Sequence, residues 1–396
     1  MQTVKIKNKY VSKYRGGYPH LFKEAIIDPT ALEQEGTVID LIEQGGKFLA
    51  RGYYGRQNKG YGWVLTQNKS ETIDQLFFSN KIATAVTKRD TFFSDDQTNA
   101  FRLFNGEGDG IGGLTIDYYA GFLLITWYSQ GIYQFKSYVL EALEQSLTYQ
   151  GIYQKKRFDT GGKYIDDDDF VKGKRAEWPL LIKENGINYA VHLNEGPMTG
   201  IFLDQREVRK AIKGHVAKDK TVLNTFSYTG AFSVSAALGG AIKTTSVDLA
   251  NRSLAKTIEQ FTVNHLDHNK HEIKVMDVFR YFNYAKKHQL NFDLVILDPP
   301  SFARSKKHTF SVAKDYVKLL EEAIAITSDG GMIIASTNYS GIQLKKFKQF
   351  IEQAFTNLNE KYQIKETFRL PFDFQTDKQF PEGNYLKVIF IEKVRG

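Results

Sequence analysis

Residues 221–248, TVLNTFSYTGAFSVSAALGGAIKTTSVD, constrain the fold more than any other stretch. Val222 and Leu223 open a short apolar run. A turn-prone loop follows, Asn224-Thr225-Phe226-Ser227-Tyr228-Thr229-Gly230. Small and apolar residues from Ala231 to Leu238 then read as a helix packed closely on a sheet. Gly239-Gly240 ends that helix, because glycine tolerates the left-handed geometry of a C-cap. A second strand, 244–247, finishes on Asp248.

An acid at the end of the second strand accepts hydrogen bonds from a ribose in nucleotide-binding α/β folds, about 20 residues beyond the glycine loop. The loop here is not GxGxxG. It has one glycine, and Phe226 and Tyr228 occupy it. A dinucleotide needs bare backbone against its pyrophosphate. An aromatic loop suits a nucleoside without phosphate, such as S-adenosylmethionine, better than NAD. The plain alternative is an ordinary crossover with no ligand.

A chain of 396 residues is too long for one small core, so two or three domains are expected. No stretch offers about 18 uncharged apolar residues, so no transmembrane helix is expected. The N-terminal residues have no apolar core of a secretory signal, and the expected location is cytoplasmic. The net charge of +8 favours a polyanionic partner by long-range attraction. The chain has no cysteine, which closes disulfides, thiolate metal sites and thiol nucleophiles alike.

Residues 1–73 alternate short strand-like runs with glycine turns, and Gly45-Gly46 between two such runs predicts a hairpin. Lys5, Lys7, Lys9, Lys13, Arg15 and Arg51 are interleaved with Tyr10, Tyr14, Tyr18, Tyr53 and Tyr54. Base and aromatic together suit RNA; a small β core with a solvated basic face accounts for the same pattern. Residues 74–180 read as a small α+β domain. Its helix-start chemistry is at Ser70, Thr72 and Asp74, a hairpin spans 114–126, and an amphipathic helix spans about 133–149. Lys155-Lys156-Arg157 could touch phosphate. Asp166 to Asp169 point in different directions, a poor ligand set for a cation, and read as a solvated loop. No metal site is expected.

Asn185-Gly186 between alternating strands predicts another hairpin. Beyond residue 248 strand and helix alternate. A strand over 273–276 ends in Asp277, and one over 292–297 ends in Asp298. A helix is expected over about 311–326, a strand over 332–336 after Gly330-Gly331, and a final strand over 385–391. Repeated βα units imply a doubly wound, mostly parallel sheet with ligands at its strand carboxyl ends.

Asp248, Asp277 and Asp298 then face one crevice. Asp248 holds a ribose, and Asp277, followed by Val278, accepts from an adenine amino group. Each acid alone could equally be a helix N-cap. Asp298-Pro299-Pro300-Ser301-Phe302 is the most specific signal: two prolines stiffen the backbone and remove donors. Rigid carbonyls there can accept from the amino group of a flipped base, and Phe302 can stack on it. A rigid turn with a buried phenylalanine is the structural alternative. Arg304, Lys306 and Lys307 follow, suited to flanking phosphates or to a solvated loop.

FSYTG at 226–230, GIFLDQR at 200–206 and DPPSF at 298–302 resemble the class I, S-adenosylmethionine-dependent methyltransferases of large-subunit ribosomal RNA. The resemblance covers nearly the whole chain. It implies an α/β architecture: a PUA-like RNA-binding domain (1–73), a central α+β domain (74–180) and a Rossmann-like methyltransferase domain (181–396). It also implies cofactor binding by Phe202, Asp204, Gln205, Thr225, Phe226, Ser227, Tyr228, Thr229, Gly230, Asp248, Asp277, Val278 and Asp298. Members with this layout are often homodimers. The relatives closest in layout methylate C5 of cytosine through a cysteine after the strand that follows the double glycine. Here that place reads Ser336-Thr337-Asn338-Tyr339-Ser340. Carbon 5 needs a thiolate on C6 first, whereas a ring nitrogen attacks the sulfonium directly and needs only positioning.

The expectation is therefore an RNA methyltransferase acting on a nitrogen, with guanine favoured. Asp298, Pro299, Pro300, Phe302 and Asn338 would handle the base, and Arg15, Arg304, Lys306 and Lys307 the RNA. The alternative is a catalytically silent RNA-binding or ribosome-assembly factor that keeps the fold.

Overall fold

The structure, a computed structural model, describes residues 2–57, 60–158, 169–196, 198–304 and 309–394. It divides into two compact units. The first comprises residues 1–182, 192–199 and 372–383; the second comprises residues 183–191, 200–371 and 384–396.

The first unit holds two five-stranded sheets. One contains Gln2–Lys5, Val38–Ile42, Phe48–Gln57, Gly60–Thr66 and His20–Phe22, and Val38–Ile42 and Phe48–Gln57 form the hairpin expected around Gly45-Gly46. The N-terminal run is not all strand: Asn8–Arg15 is a helix. Tyr14, Tyr18, Tyr53 and Tyr54 are core residues rather than exposed stacking rings. The Tyr14 hydroxyl accepts from the Phe22 N–H at 3.1 Å, which keeps the buried phenol satisfied.

The second sheet runs Phe170–Gly173, Gly151–Lys156, Phe122–Trp127, Leu114–Tyr119 and Ala100–Asn105. The helices Gln75–Thr87 and Lys136–Ser146 pack together. Asp74 caps the former by accepting from the Phe77 N–H. The helix expected over 133–149 is broken into Gln130–Tyr133 and Lys136–Ser146.

Two charge runs depart from expectation. Lys155 and Asp169 are both buried and pair at 2.5 Å, so Lys155 is turned inward rather than toward phosphate and Asp169 is interior structure rather than solvated loop. Asp166, Asp167 and Asp168 lie outside the described residues.

The second unit is the wound sheet. Its labelled elements are β1 (Thr221–Thr225), α1 (Ala231–Leu238), β2 (Lys243–Asp248), α2 (Arg252–Thr262), β3 (Glu272–Val275), α3 (Val278–Lys287), β4 (Phe292–Leu297), α4 (Val312–Ile324), β5 (Thr327–Thr337), α5 (Leu344–Asn357), β6 (Lys361–Phe368) and β7 (Lys387–Val394). The seven strands lie in the order β3-β2-β1-β4-β5-β7-β6. β1 to β5 are parallel, and β7 is antiparallel to both neighbours.

Period-two alternation explains why both faces are covered. Leu223, Val295, Ile333 and Ile391 face one core with α3, α4 and α5; Val222, Leu294, Ile334 and Phe390 face the other with α1. Gly330-Gly331 lies within β5 rather than before it. At the end of α1 the left-handed residue is Gly240, at φ 86°, while Gly239 has φ −81°.

Candidate active site

In the sheet order, connections run outward from β1 through β2 to β3, then cross back to β4 on the other side of β1. The carboxyl ends of β1 and β4 therefore flank the switch point where α/β folds bind ligands. Asp248 ends β2, Asp277 follows β3 and Asp298 follows β4.

The loop after β1 is held in a sparsely populated backbone. Phe226 and Tyr228 both have φ of 53°, in the left-handed region. Each such residue costs about 1–3 kcal/mol unless its surroundings impose it, and such strain clusters at ligand sites. Here the surroundings do impose it. The Ser227 N–H donates to the Val247 carbonyl (3.0 Å) and the Tyr228 N–H to Asp248 Oδ2 (2.9 Å). The Thr229 hydroxyl donates to the Gly200 carbonyl (2.6 Å) and the Thr225 hydroxyl to the Ile296 carbonyl (2.7 Å). Gly230, at φ 78°, sits where a Cβ would meet Thr257 Cγ2 at 2.6 Å, so α2 can approach the loop only at a glycine.

Asp248 also accepts the Ala250 N–H on Oδ1 at 2.9 Å. Two backbone donors aim a half-buried carboxylate whose oxygens each keep a second acceptor direction. Asp277 accepts the Arg280 N–H at 3.1 Å as the N-cap of α3, and Val278 is the buried first residue of that helix. Asp277 thus serves the capping role open to any strand-end acid, at the place expected for an adenine acceptor.

Phe202, 44 % exposed, and Tyr228 hold their rings 5.5 Å apart at 50°. The turn Leu203–Gln205 carries Asp204, which accepts the Tyr385 hydroxyl at 2.9 Å. Buried Arg209 fixes this turn by donating to the Phe202 carbonyl at 2.7 Å. It is held in turn by a two-point pair with buried Glu184 at 2.6 and 2.7 Å.

Gln205 is buried, and its Nε2 donates to Asp298 Oδ1 at 3.2 Å and to the Ser336 hydroxyl at 2.9 Å. Its Oε1 is buried without a donor. Burial pushes the partly sheltered Asp298 carboxyl up to about 6; the Asp204 charge adds to this, and the Ser336 and Gln205 hydrogen bonds oppose it. Gln205 Oε1, beside the Asp298 carboxylate, is thus an acceptor short of a donor. An amino or ammonium group supplies what is missing.

Pro299 is buried and Pro300 exposed. Phe302 is 57 % exposed rather than a core ring. It opens a short antiparallel hairpin, Phe302–Arg304 with Thr309–Ser311. The Ser301 hydroxyl donates to Asn338 Oδ1 at 2.7 Å, so the loops after β4 and β5 are joined and the Asn338 amide N–H₂ can still donate. Lys306 and Lys307 lie outside the described residues. Arg15, in the first unit, is exposed at the end of its helix and pairs with Glu43.

Three elements of this arrangement have no sequence motif: the Arg209–Glu184 pair, the Tyr385–Asp204 bond and the Ser336 partner of Gln205. Each joins residues distant in the chain. A basic residue four positions after Gln205 is the one readable trace of the first.

Comparison with known proteins gives concordant matches. Residues 101–357 match the family described as S-adenosylmethionine-dependent methyltransferase, and residues 4–67 match the PUA-like domain. Bacillus subtilis YwbD, provisionally named a ribosomal RNA large subunit methyltransferase, is 63% identical over 99% of this chain and 100% of its own. Ribosomal RNA large subunit methyltransferase I of Enterobacter sp. (strain 638) is 32% identical over 93% and 94%. The crystal structure of SMU.776, provisionally named a methyltransferase and complexed with S-adenosylhomocysteine, superposes with a TM-score of 0.90. It is 41% identical and covers 99% of this chain and 100% of its own.

Proposed function

The chain belongs to the S-adenosylmethionine-dependent methyltransferases, and from that premise we propose that its second unit methylates a ring nitrogen of an RNA base, guanine being the favoured one. Its cofactor is S-adenosylmethionine. When bound, that cofactor supplies an electrophilic methyl on a sulfonium. Attack by a ring nitrogen forms the N–CH₃ bond, breaks C–S and leaves the electron pair on sulfur.

The observation that carries the reading is the donor-less Gln205 Oε1 beside Asp298 at the switch point, together with the strained loop that Asp248 holds. Asp248 accepts ribose hydroxyls. The Phe202 and Tyr228 rings wall the nucleoside, with Asp277 and Val278 beyond. Asp298, Gln205 and Asp204 receive amino and ammonium donors. On the substrate side Pro299 and Pro300 hold the strand end rigid, Phe302 stacks on the base, and Asn338 offers its amide to the base edge. The loop with Arg304, Lys306 and Lys307, and Arg15 on the PUA-like segment, hold phosphates. A nitrogen target is supported by chemistry: the chain has no cysteine, and Ser336, Asn338 and Tyr339 occupy the stretch where a thiol route needs one.

The names of the relatives support large-subunit ribosomal RNA as the substrate, and with it a cytoplasmic place of action. No helix among the described residues is long and apolar enough to cross a membrane. We read the chain as three functional parts, 1–73 for RNA binding, 74–180 as a central domain and 181–396 for catalysis, acting as a homodimer.

Three measurements test the reading. Titration with S-adenosylhomocysteine gives saturable heat, and Asp298→Ala loses methyl transfer. Mass spectrometry of ribosomal RNA from a strain lacking the gene shows one methylated base reverting to its parent. Unchanged RNA would instead identify a silent assembly factor.

A further inference from the structure

Lys387 opens β7 opposite Thr337, the last residue of β5. It is a lysine in an otherwise apolar strand start and is 2 % exposed. Its Nζ donates to the Tyr339 carbonyl at 2.8 Å and to the Tyr385 carbonyl at 2.6 Å. Among the described residues no carboxylate pairs with it. A buried ammonium without a counterion destabilises a fold, so its retention needs a reason.

The two carbonyls supply one. Tyr339 follows Asn338 in the loop after β5, the loop joined to the DPPSF turn through Ser301. Tyr385 is the residue whose hydroxyl meets Asp204. One nitrogen therefore meets both the loop that carries Asn338 and the backbone of the residue whose hydroxyl bonds Asp204. On the methyl-transfer reading of the second unit, we propose that Lys387 is a positioning residue: by holding the Tyr339 carbonyl against β7 it aims the Asn338 amide at the base, while Asp204 keeps its own bond from the Tyr385 hydroxyl.

The groups that meet Lys387, or the carbonyls it holds, are Arg369 from beyond β6, Tyr339 from the loop after β5, Tyr385 beside its own strand and, through the Tyr385 hydroxyl, Asp204. Burial, with the Arg369 charge adding to it, pushes the Lys387 pKa down to about 8. Loss of the proton leaves two N–H donors, one for each carbonyl. Positioning by Lys387 thus survives neutralisation.

The test combines kinetics on the full chain with calorimetry, using unmodified large-subunit RNA and S-adenosylhomocysteine. Lys387→Met keeps the stem and removes the donors. It should leave the Kd for S-adenosylhomocysteine within about threefold while kcat falls about 10–100-fold, as for a misplaced reacting group. Wild-type kcat should stay flat from pH 7 to 9. A methionine variant with wild-type kcat overturns the proposal, as does one whose binding and turnover fall in the same proportion. Should that variant fail to fold, the wild-type profile decides: a bend near pH 8 shows that the charge, not the pair of hydrogen bonds, is what the site uses. If wild type itself binds no S-adenosylhomocysteine, the reading of the site falls, and this proposal with it.

Discussion

Asp248 accepts the backbone N–H of Tyr228 across 2.9 Å, and this one bond couples the acid proposed to accept the cofactor's ribose to the backbone of the aromatic loop. On the proposed reading the carboxylate has two tasks at once, shaping the loop and receiving hydroxyls. Asp248→Asn replaces one acceptor oxygen by an N–H₂ that faces a backbone donor. Charged hydrogen bonds contribute about 1.5–3 kcal/mol, so affinity for S-adenosylhomocysteine should fall about 10–100-fold. Calorimetry checks this, and unchanged affinity would remove Asp248 from the site.

Tyr228 sits at φ 53°, which a β-branched residue adopts only with strain. Tyr228→Val should therefore be less stable than Tyr228→Gly by about 1–2 kcal/mol, measured by denaturant unfolding. Both lose the ring that faces Phe202, so both should bind cofactor more weakly. Equal stability of the two variants would mean that the loop relaxes out of the left-handed region at no cost.

Asp298 has a folded-state pKa of about 6, above its ordinary value of 3.8. A raised carboxyl binds its proton more tightly folded than unfolded. Its contribution to stability is therefore fully present below pH about 4 and is lost as pH rises through about 6. Cofactor binding runs the other way, because ammonium and sulfonium groups favour the ionised form. Affinity for S-adenosylmethionine should rise between pH 5 and 7 and then level off, and Asp298→Asn should abolish that rise. A wild-type affinity flat across this window would show that Asp298 does not meet the cofactor's charge.

Much of the second unit was legible because its physics is local. Buried parallel strands read as apolar runs, and the expected limits of β4 match the structure, 292–297. The single-glycine aromatic loop and the acid ending β2 both stand where the sequence puts them. β6 carries little signal: KYQIKETF is an edge strand with alternate residues exposed. The segment 372–383 is unreadable for a different reason. It leaves the wound sheet's sequence and joins the first unit, where the Asp373 carboxylate accepts the Arg102 N–H at 2.8 Å. Contacts across 271 residues leave no periodicity to find. Lys387 is hidden likewise, since a lysine in a strand reads as an edge or solvent position until its two carbonyls are seen.

Glu184 and Arg209 make the clearest case for separating stability from function. Both are buried, and the pair supports the Phe202 carbonyl ahead of the Asp204-Gln205 turn. Glu184→Gln leaves the guanidinium buried without its counter-charge and should cost about 3–5 kcal/mol in denaturant unfolding. Replacing the whole pair, Glu184→Leu with Arg209→Met, removes both charges, and apolar substitutes of similar volume often restore stability. The Phe202 carbonyl still loses its donor in that double variant, so the turn that follows Phe202 loses one of its anchors. Stability should recover while cofactor affinity stays low. Recovery of both together would show that the pair only fills space, and that the turn is set by packing instead.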